Sequence, residues 1–318
     1  MSVSKVIVVL TMSAILAVAA EPATAAQNLV DKRVDSLFAI AASGSVKFKD
    51  MVQPAIDSTA AMGVNAVPRL LEKLATKSPR ERVTLVAILK KIGAPAVPGL
   101  LTSLKLGEGL AVERAAYSLG DIGDSSAVDG LLAAAGHERW QVREQVIGAL
   151  GKLHSHRADN AVMSAFNDSI PLVRKSAAVS SGQLKIAGSI PLLVHLLGDP
   201  FYGARMPASL ALFALDTTTV IKALADSITS DNLMVGNLAC WVLGRMHKPE
   251  ATALLVEQAN STIVERRSHA ACALVEADVK QNAAFIETYR KSETDSLALL
   301  RFESAIEAAS HVQPVARP

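Results

Sequence analysis

The sequence predicts an all-α protein, a solenoid built from about eight short helix pairs stacked side by side. Three observations carry that expectation. The stretch Gln141 to Leu153, opening on Val142-Arg143 and closing on Ala149-Leu150-Gly151, recurs: counting by 31 from Arg143 lands on Arg174, Arg205, Gly236 and Arg267. Counting back by 31 and then 30 lands on Val112 and Arg82. An apolar stripe at i, i+3, i+4, i+7 keeps the same phase from repeat to repeat, as the buried face of a helix must. Hydrophobic residues make up 50% of the chain and aromatics only 4%, a mix rich in Ala, Val and Leu that favours helices over sheets. With 318 residues the chain could form two ordinary domains, but a fixed internal period favours one continuous array.

Residues 1–25 read as a signal peptide. Lys5 gives a basic start, Val6 to Ala20 is an uncharged apolar run, and Ala23-Thr24-Ala25 offers a small-x-small cleavage pattern. The run is about 15 residues, shorter than the roughly 20 needed to span a hydrocarbon core. Cleavage after Ala25, a periplasmic or secreted chain, and no stable membrane insertion afterwards are therefore expected.

Residues 26–62 are expected to form N-terminal capping helices, with Leu29-Val30, Val34, Leu37-Phe38 and Ala41 at helical spacing and Ser43-Gly44 as a stop. Residues 63–291 form the repeat array. Its first helices are clearest at Val67, Leu70, Leu71 and Leu74, with Pro68 in the first turn, where a missing N–H costs nothing. The stripe returns at Val97, Leu100, Leu101 and Leu104, and again at Val128, Leu131, Leu132 and Ala135. It continues through Val162 and Phe166, Ile190 and Leu193, Ile221 and Leu224, and Leu255 and Ala259. Second helices end in phase at Met62, Ile92, Ile122, Leu153, Leu184, Leu215, Met246 and Ala277. The next residue is Gly63, Gly93 or Gly123 in the early repeats, each able to take the left-handed turn that stops a helix. Later it is His154, Lys185, Asp216, His247 or Asp278, where differently built stops are expected. A closing helix is expected over 292–310 and a loose tail over 311–318. Such an array would be a curved rod on the order of 80–90 Å long.

These residues resemble the HEAT-repeat superfamily, in particular the roughly 30-residue repeats also found in phycobilin lyases of the two-subunit type. The likeness covers about Val52 to Ala277 and rests on the Val-Arg opening, the double Ala of Ala115-Ala116 and Ala177-Ala178, and the ending Leu119-Gly120-Asp121-Ile122-Gly123. It implies a right-handed α-solenoid of about eight HEAT-like helix pairs that serves as a scaffold or binding surface. In some HEAT-like arrays, repeated His-Glu dyads on second helices hold a di-iron centre. Here the comparable position is Ser268-His269-Ala270, without the glutamate, and His137-Glu138 lies in a turn. Bilin lyase activity is set aside because those enzymes work in the cytosol and this chain carries an export signal.

The arginine series is the main candidate for function. Asp168 and Asp199 lie six residues before Arg174 and Arg205, so each arginine either pairs with a turn aspartate and caps carbonyls, or belongs to a strip that binds an acidic partner. Trp140 and Tyr202 stand three residues before Arg143 and Arg205. In a chain poor in aromatics, Trp140, Arg143, Arg174, Tyr202 and Arg205 are the candidate binding residues.

The remaining chemistry is sparse. His137 and the pair His154 and His156 lie about 18 Å apart along a helix, too far to share an ion, and no metal or cofactor is expected. Cys240 and Cys272 are one position out of register; a disulfide and two buried thiols both stay open. No phosphate loop, nucleophile elbow or zinc-spaced cysteine cluster occurs, so no catalytic residue is assigned. The near balance of 32 basic and 30 acidic residues argues against nucleic acid as a partner. The expected protein is a non-catalytic exported scaffold for a protein partner; a lyase-like or other small-molecule enzyme or chaperone is the alternative.

Overall fold

The computed structural model describes residues 25–311; apart from Ala25 and His311, the expected signal peptide (1–25) and the expected tail (311–318) lie outside the described residues. All regular structure in the described residues is helical. The chain divides into two compact units, 1–153 and 154–318, each of which is an all-α solenoid.

In the first unit a leading helix, α1 (25–42), buries Val34, Phe38 and Ala41. A 3-10 turn, Val46–Met51, leads into α2 (Val52–Ala61). The pairs α3 (Val67–Leu71) with α4 (Pro79–Ile92), α5 (Val97–Leu106) with α6 (Leu110–Ile122), and α7 (Val128–Ala134) with α8 (Trp140–Lys152) follow. Second helices pack on second helices, α2 on α4, α4 on α6 and α6 on α8, while α3 packs on α5 and α5 on α7. Leu70, Leu74, Leu100 and Leu131 from the first helices meet Leu85, Ile88, Leu119 and Leu150 from the second in a core fully closed to solvent. Each such side chain contributes about 1.5–3 kcal/mol. No pair could exclude water from its stripe without the next.

The local reasons for these helices lie in the turns. Ser78 caps α4, its hydroxyl accepting from the Glu81 N–H at 3.3 Å, with Pro79 in the first turn. Gly93 and Gly123 end α4 and α6 at φ 73° and 78°, a region that a Cβ disfavours.

The second unit continues with α9 (Asp159–Ala165), α10 (Pro171–Leu184), α11 (Ile190–Leu196), α12 (Tyr202–Phe213), α13 (Thr217–Ser227) and α14 (Leu233–Met246). It closes with α15 (Pro249–Gln258), α16 (Val264–Ala277), α17 (Ala283–Ser292) and α18 (Ser296–His311). The second helices again form a continuous layer from α10 through α12, α14 and α16 to α18. Its stops are built two ways. His154, Lys185 and His247 take φ of 50°, 53° and 50° despite their side chains, a conformation that costs such residues roughly 1–2 kcal/mol. Asp216 instead caps the next helix, accepting from the Thr219 N–H at 2.8 Å, and Asp278 accepts from the N–H groups of Lys280 and Gln281, each at 2.9 Å.

Small residues set the spacing of the second helices. A Cβ on Gly120 would lie 2.7 Å from Ala149, one on Gly182 3.1 Å from Ala211, and one on Gly244 2.7 Å from the Ala273 carbonyl. The aromatic cluster of Phe285, Tyr289 and Phe302, with the Tyr289 and Phe302 rings 4.6 Å apart, packs α17 against α18.

Candidate functional site

The turn that leads into a second helix leaves carbonyls without helical partners, and in α8, α10, α12 and α16 an arginine one turn into the helix reaches back to them. Arg143 Nη1 donates to the carbonyls of His137 at 2.9 Å and Glu138 at 3.0 Å. Arg174 Nη1 does the same to Asp168 at 2.8 Å and Ser169 at 3.3 Å. Arg205 donates to the carbonyls of Asp199 and Pro200, and Arg267 to that of Thr262. The planar guanidinium suits this task because several N–H donors diverge from one rigid fork.

Two of these arginines also grip a carboxylate from the following repeat. Arg174 Nε and Nη2 donate to Asp199 at 2.7 and 3.0 Å, and Arg267 Nε and Nη2 to Glu293 at 2.8 and 2.9 Å. The aspartate that Arg174 pairs with here stands 25 residues downstream; Asp168, six residues upstream, gives it a backbone carbonyl. Asp199 in turn accepts from the Phe201 N–H at 2.8 Å. Burial works against ionisation of Asp199, but the donors from Arg174 and Phe201 outweigh it and hold its carboxyl below the ordinary range. The Arg267 guanidinium, opposed by burial and helped by the Asp295 N–H and the Tyr289 hydroxyl, holds Glu293 at about 2. The Glu293 side chain is 1% exposed.

Trp140 opens α8 and is half-buried; it lies with Arg143 in the first unit. Arg174, Tyr202 and Arg205 lie in the second, where Tyr202 opens α12 with 70% of its surface exposed. Beside Tyr202, the ring of Phe201 lies over Gly203, where a Cβ would come within 2.5 Å of it. Leu233 and Met234 open α14 and Ile263 precedes α16, and all three are exposed. Because α12, α14 and α16 are successive layers, Phe201, Tyr202, Leu233, Met234 and Ile263 form an apolar row along one turn edge. Four of the five escape a search for arginine and aromatic spacing. Their signal was apolar residues directly after the polar turns Ser230-Asp231-Asn232 and Ser261-Thr262, outside the buried stripe.

The other sequence candidates resolve simply. Cys240 and Cys272 are free thiols, and burial pushes them up to about 12 and about 11, far from a reactive thiolate. His156 faces Asp159 at 3.2 Å. Among the described residues, no group of three or more His, Cys, Asp or Glu side chains is placed to hold a metal ion, and no single helix is long and apolar enough to cross a membrane.

Stacked helix pairs with turn-capping arginines define an α-solenoid scaffold. A profile of HEAT repeats matches residues 97–182 and 128–212, so this stretch of the chain carries HEAT repeats. The fold is similar to that of YibA from Escherichia coli, with a TM-score of 0.50 and 16% identity over 80% of this chain and 96% of that one. It is also similar to the complex of CpcE and CpcF of phycocyanin lyase from Nostoc sp. PCC7120, with a TM-score of 0.40 and 18% identity over 76% of this chain and 94% of that one. Human deoxyhypusine hydroxylase in complex with glycerol has a TM-score of 0.36 and 17% identity, over 80% of this chain and 98% of that one. At such identities the likeness concerns the fold alone. No curated protein matches the sequence.

Proposed function

We propose that this HEAT-repeat scaffold is exported and holds a protein partner without chemistry of its own. The observation that carries the reading is the apolar row of the second unit. Exposed large apolar side chains gathered on one edge mark interaction sites more often than the same residues scattered singly, and Tyr and Met are enriched in interface cores. The turn arginines serve this surface by fixing its backbone. With Arg174 and Arg205 spent on carbonyls and on Asp199, affinity is expected to come from apolar contact more than from pairing with an acidic partner. In the first unit, Trp140 beside Arg143 is a separate, smaller contact.

Export rests on the composition of residues 1–25. N-terminal sequencing of the protein from an envelope fraction should read from Ala26; an intact Met1 would remove the periplasmic or secreted assignment.

The binding reading is tested by affinity capture with the double variant Tyr202→Ala, Met234→Ala. Captured partner should fall about tenfold or more, as for loss of two interface anchors, with helicity and thermal midpoint unchanged. Trp140→Ala and Arg174→Ala extend the series. Undiminished capture by the double variant would overturn the site.

A further inference from the structure

The first unit carries a surface of different chemistry. Helices α4, α6 and α8 surround a cavity of 440 Å³ whose lining includes Val83, Val86 and Ala87, with Arg82, Arg114 and Tyr117 around them. Val83 is 63% exposed and Tyr117 stands out at the rim, so the apolar surface continues past the mouth.

The charges here are unevenly satisfied. Asp121 at the cavity wall is held by Lys152 at 2.5 Å, and the Lys152 ammonium also sits 4.8 Å from the centre of the Tyr117 ring. Arg114 Nη1 is fixed by the carbonyls of Leu74, at 2.6 Å, and Thr76, which leaves Nε and Nη2 without an acceptor among the described residues. Arg82 and Lys90 are exposed, and neither side chain has an acidic partner among the described residues. Burial first, and the nearby Arg82 charge second, hold Arg114 below its ordinary value. Glu113 is the single carboxylate in the wall to set against Arg82, Lys90 and Arg114 once Asp121 is paired. Two guanidinium groups that repel one another over an apolar floor are stabilised by an anion between them.

We propose that this cavity receives a polypeptide segment of a partner that presents a carboxylate side chain beside an apolar one. The carboxylate lies with Arg82 and Arg114, which can offer it paired N–H donors, and the apolar side chain covers Val83 and the Tyr117 ring. A small anion would satisfy the guanidinium groups but leave the rim wet. The assignment rests on the protein-binding reading, adds to the first unit a site apart from Trp140 and Arg143, and uses none of the second unit's edge residues, so either site can fail without the other.

Fluorescence anisotropy of the full chain with a short labelled peptide alternating leucine and glutamate tests it. The peptide should bind, and its counterpart with glutamine for glutamate should bind about tenfold more weakly. Arg82→Glu should weaken the glutamate peptide by about tenfold or more while leaving the thermal midpoint in place, because Arg82 is exposed and unpaired. Val83→Asp should weaken it as well. Equal binding of the two peptides, or indifference to Arg82→Glu, would overturn the proposal. Displacement of the peptide by an equal concentration of N-acetylglutamate would also overturn it, in favour of a small-anion site.

Discussion

The two units are made by one rule and finished by two. In both, glycine on one second helix lets the next approach: Gly120 meets Ala149 in the first unit, and Gly182 and Gly244 meet Ala211 and Ala273 in the second. Their edges differ. Three helices of the first unit stop on Gly63, Gly93 and Gly123, whereas α8 ends at His154 and the second unit's α10 and α14 at Lys185 and His247, all three at positive φ. The first ties Asp35 to Arg69 and Lys73 in partly exposed pairs; the second buries Glu293 against Arg267. Its turn edge shows Tyr202, Leu233 and Met234 where the first unit opens its helices on Pro79, Leu110 and Trp140. Repeat packing thus constrains the faces that neighbours cover, and the edges that no neighbour covers are free to diverge toward binding.

The largest effect should come from the shared rule. Gly120→Ala and Gly244→Ala each place a Cβ 2.7 Å from a neighbouring helix, and each should cost about 2–3 kcal/mol in urea unfolding. Gly148→Ala, with nothing within 4 Å, should instead gain up to about 1 kcal/mol from helix propensity. Equal behaviour of the three would mean that the glycines do not set helix spacing.

Next come the carboxylates, which separate the units. Glu293→Gln should destabilise by about 2 kcal/mol, because Arg267 loses its charged partner while the glutamine still offers it an oxygen; Asp35→Asn, in a more exposed cluster, should cost about 1 kcal/mol. Both carboxyls sit near 2 in the folded chain, against ordinary values of 3.8 for Asp and 4.5 for Glu. The unfolded chain therefore binds more protons in that window. The stabilisation is complete above about 4.5 and is lost as pH falls toward 2. Thermal midpoints measured from pH 6 to 2 should fall less steeply in Glu293→Gln than in the parent.

Helix stops give a smaller contrast of opposite sign. His247→Gly should gain about 0.5–1 kcal/mol by relieving a left-handed side chain, and Gly123→Ala should lose about 1 kcal/mol by creating one. The smallest change in stability belongs to Tyr202→Ser, within about 0.5 kcal/mol, although it should weaken partner capture strongly.

Much of the fold was legible because its cause is periodic. The stripe through Leu70, Leu74, Leu100, Leu131 and Leu193 is fully buried, since a residue at that phase must face the neighbouring repeat. The arginine register was legible too, because the carbonyls it caps lie a fixed five and six residues back. Its carboxylate partner was not: Asp199 reaches Arg174 from the next repeat, and spacing alone favoured Asp168. Glycine stops were anticipated, but a sequence does not reveal that His154, Lys185 and His247 adopt the same turn while Asp216 and Asp278 become caps. Leu233, Met234 and Ile263 were missed because apolar residues outside the stripe look like noise until their exposure is known.

The central claim is that the second unit's turn edge touches the partner. A photoreactive phenylalanine analogue placed at Tyr202, and in a separate chain at the exposed Val64 of the first unit, tests it in the producing cell. Crosslinking of one defined protein from position 202 and none from 64 is the expected result. Equal labelling from both positions, or crosslinking from 64 alone, would contradict it.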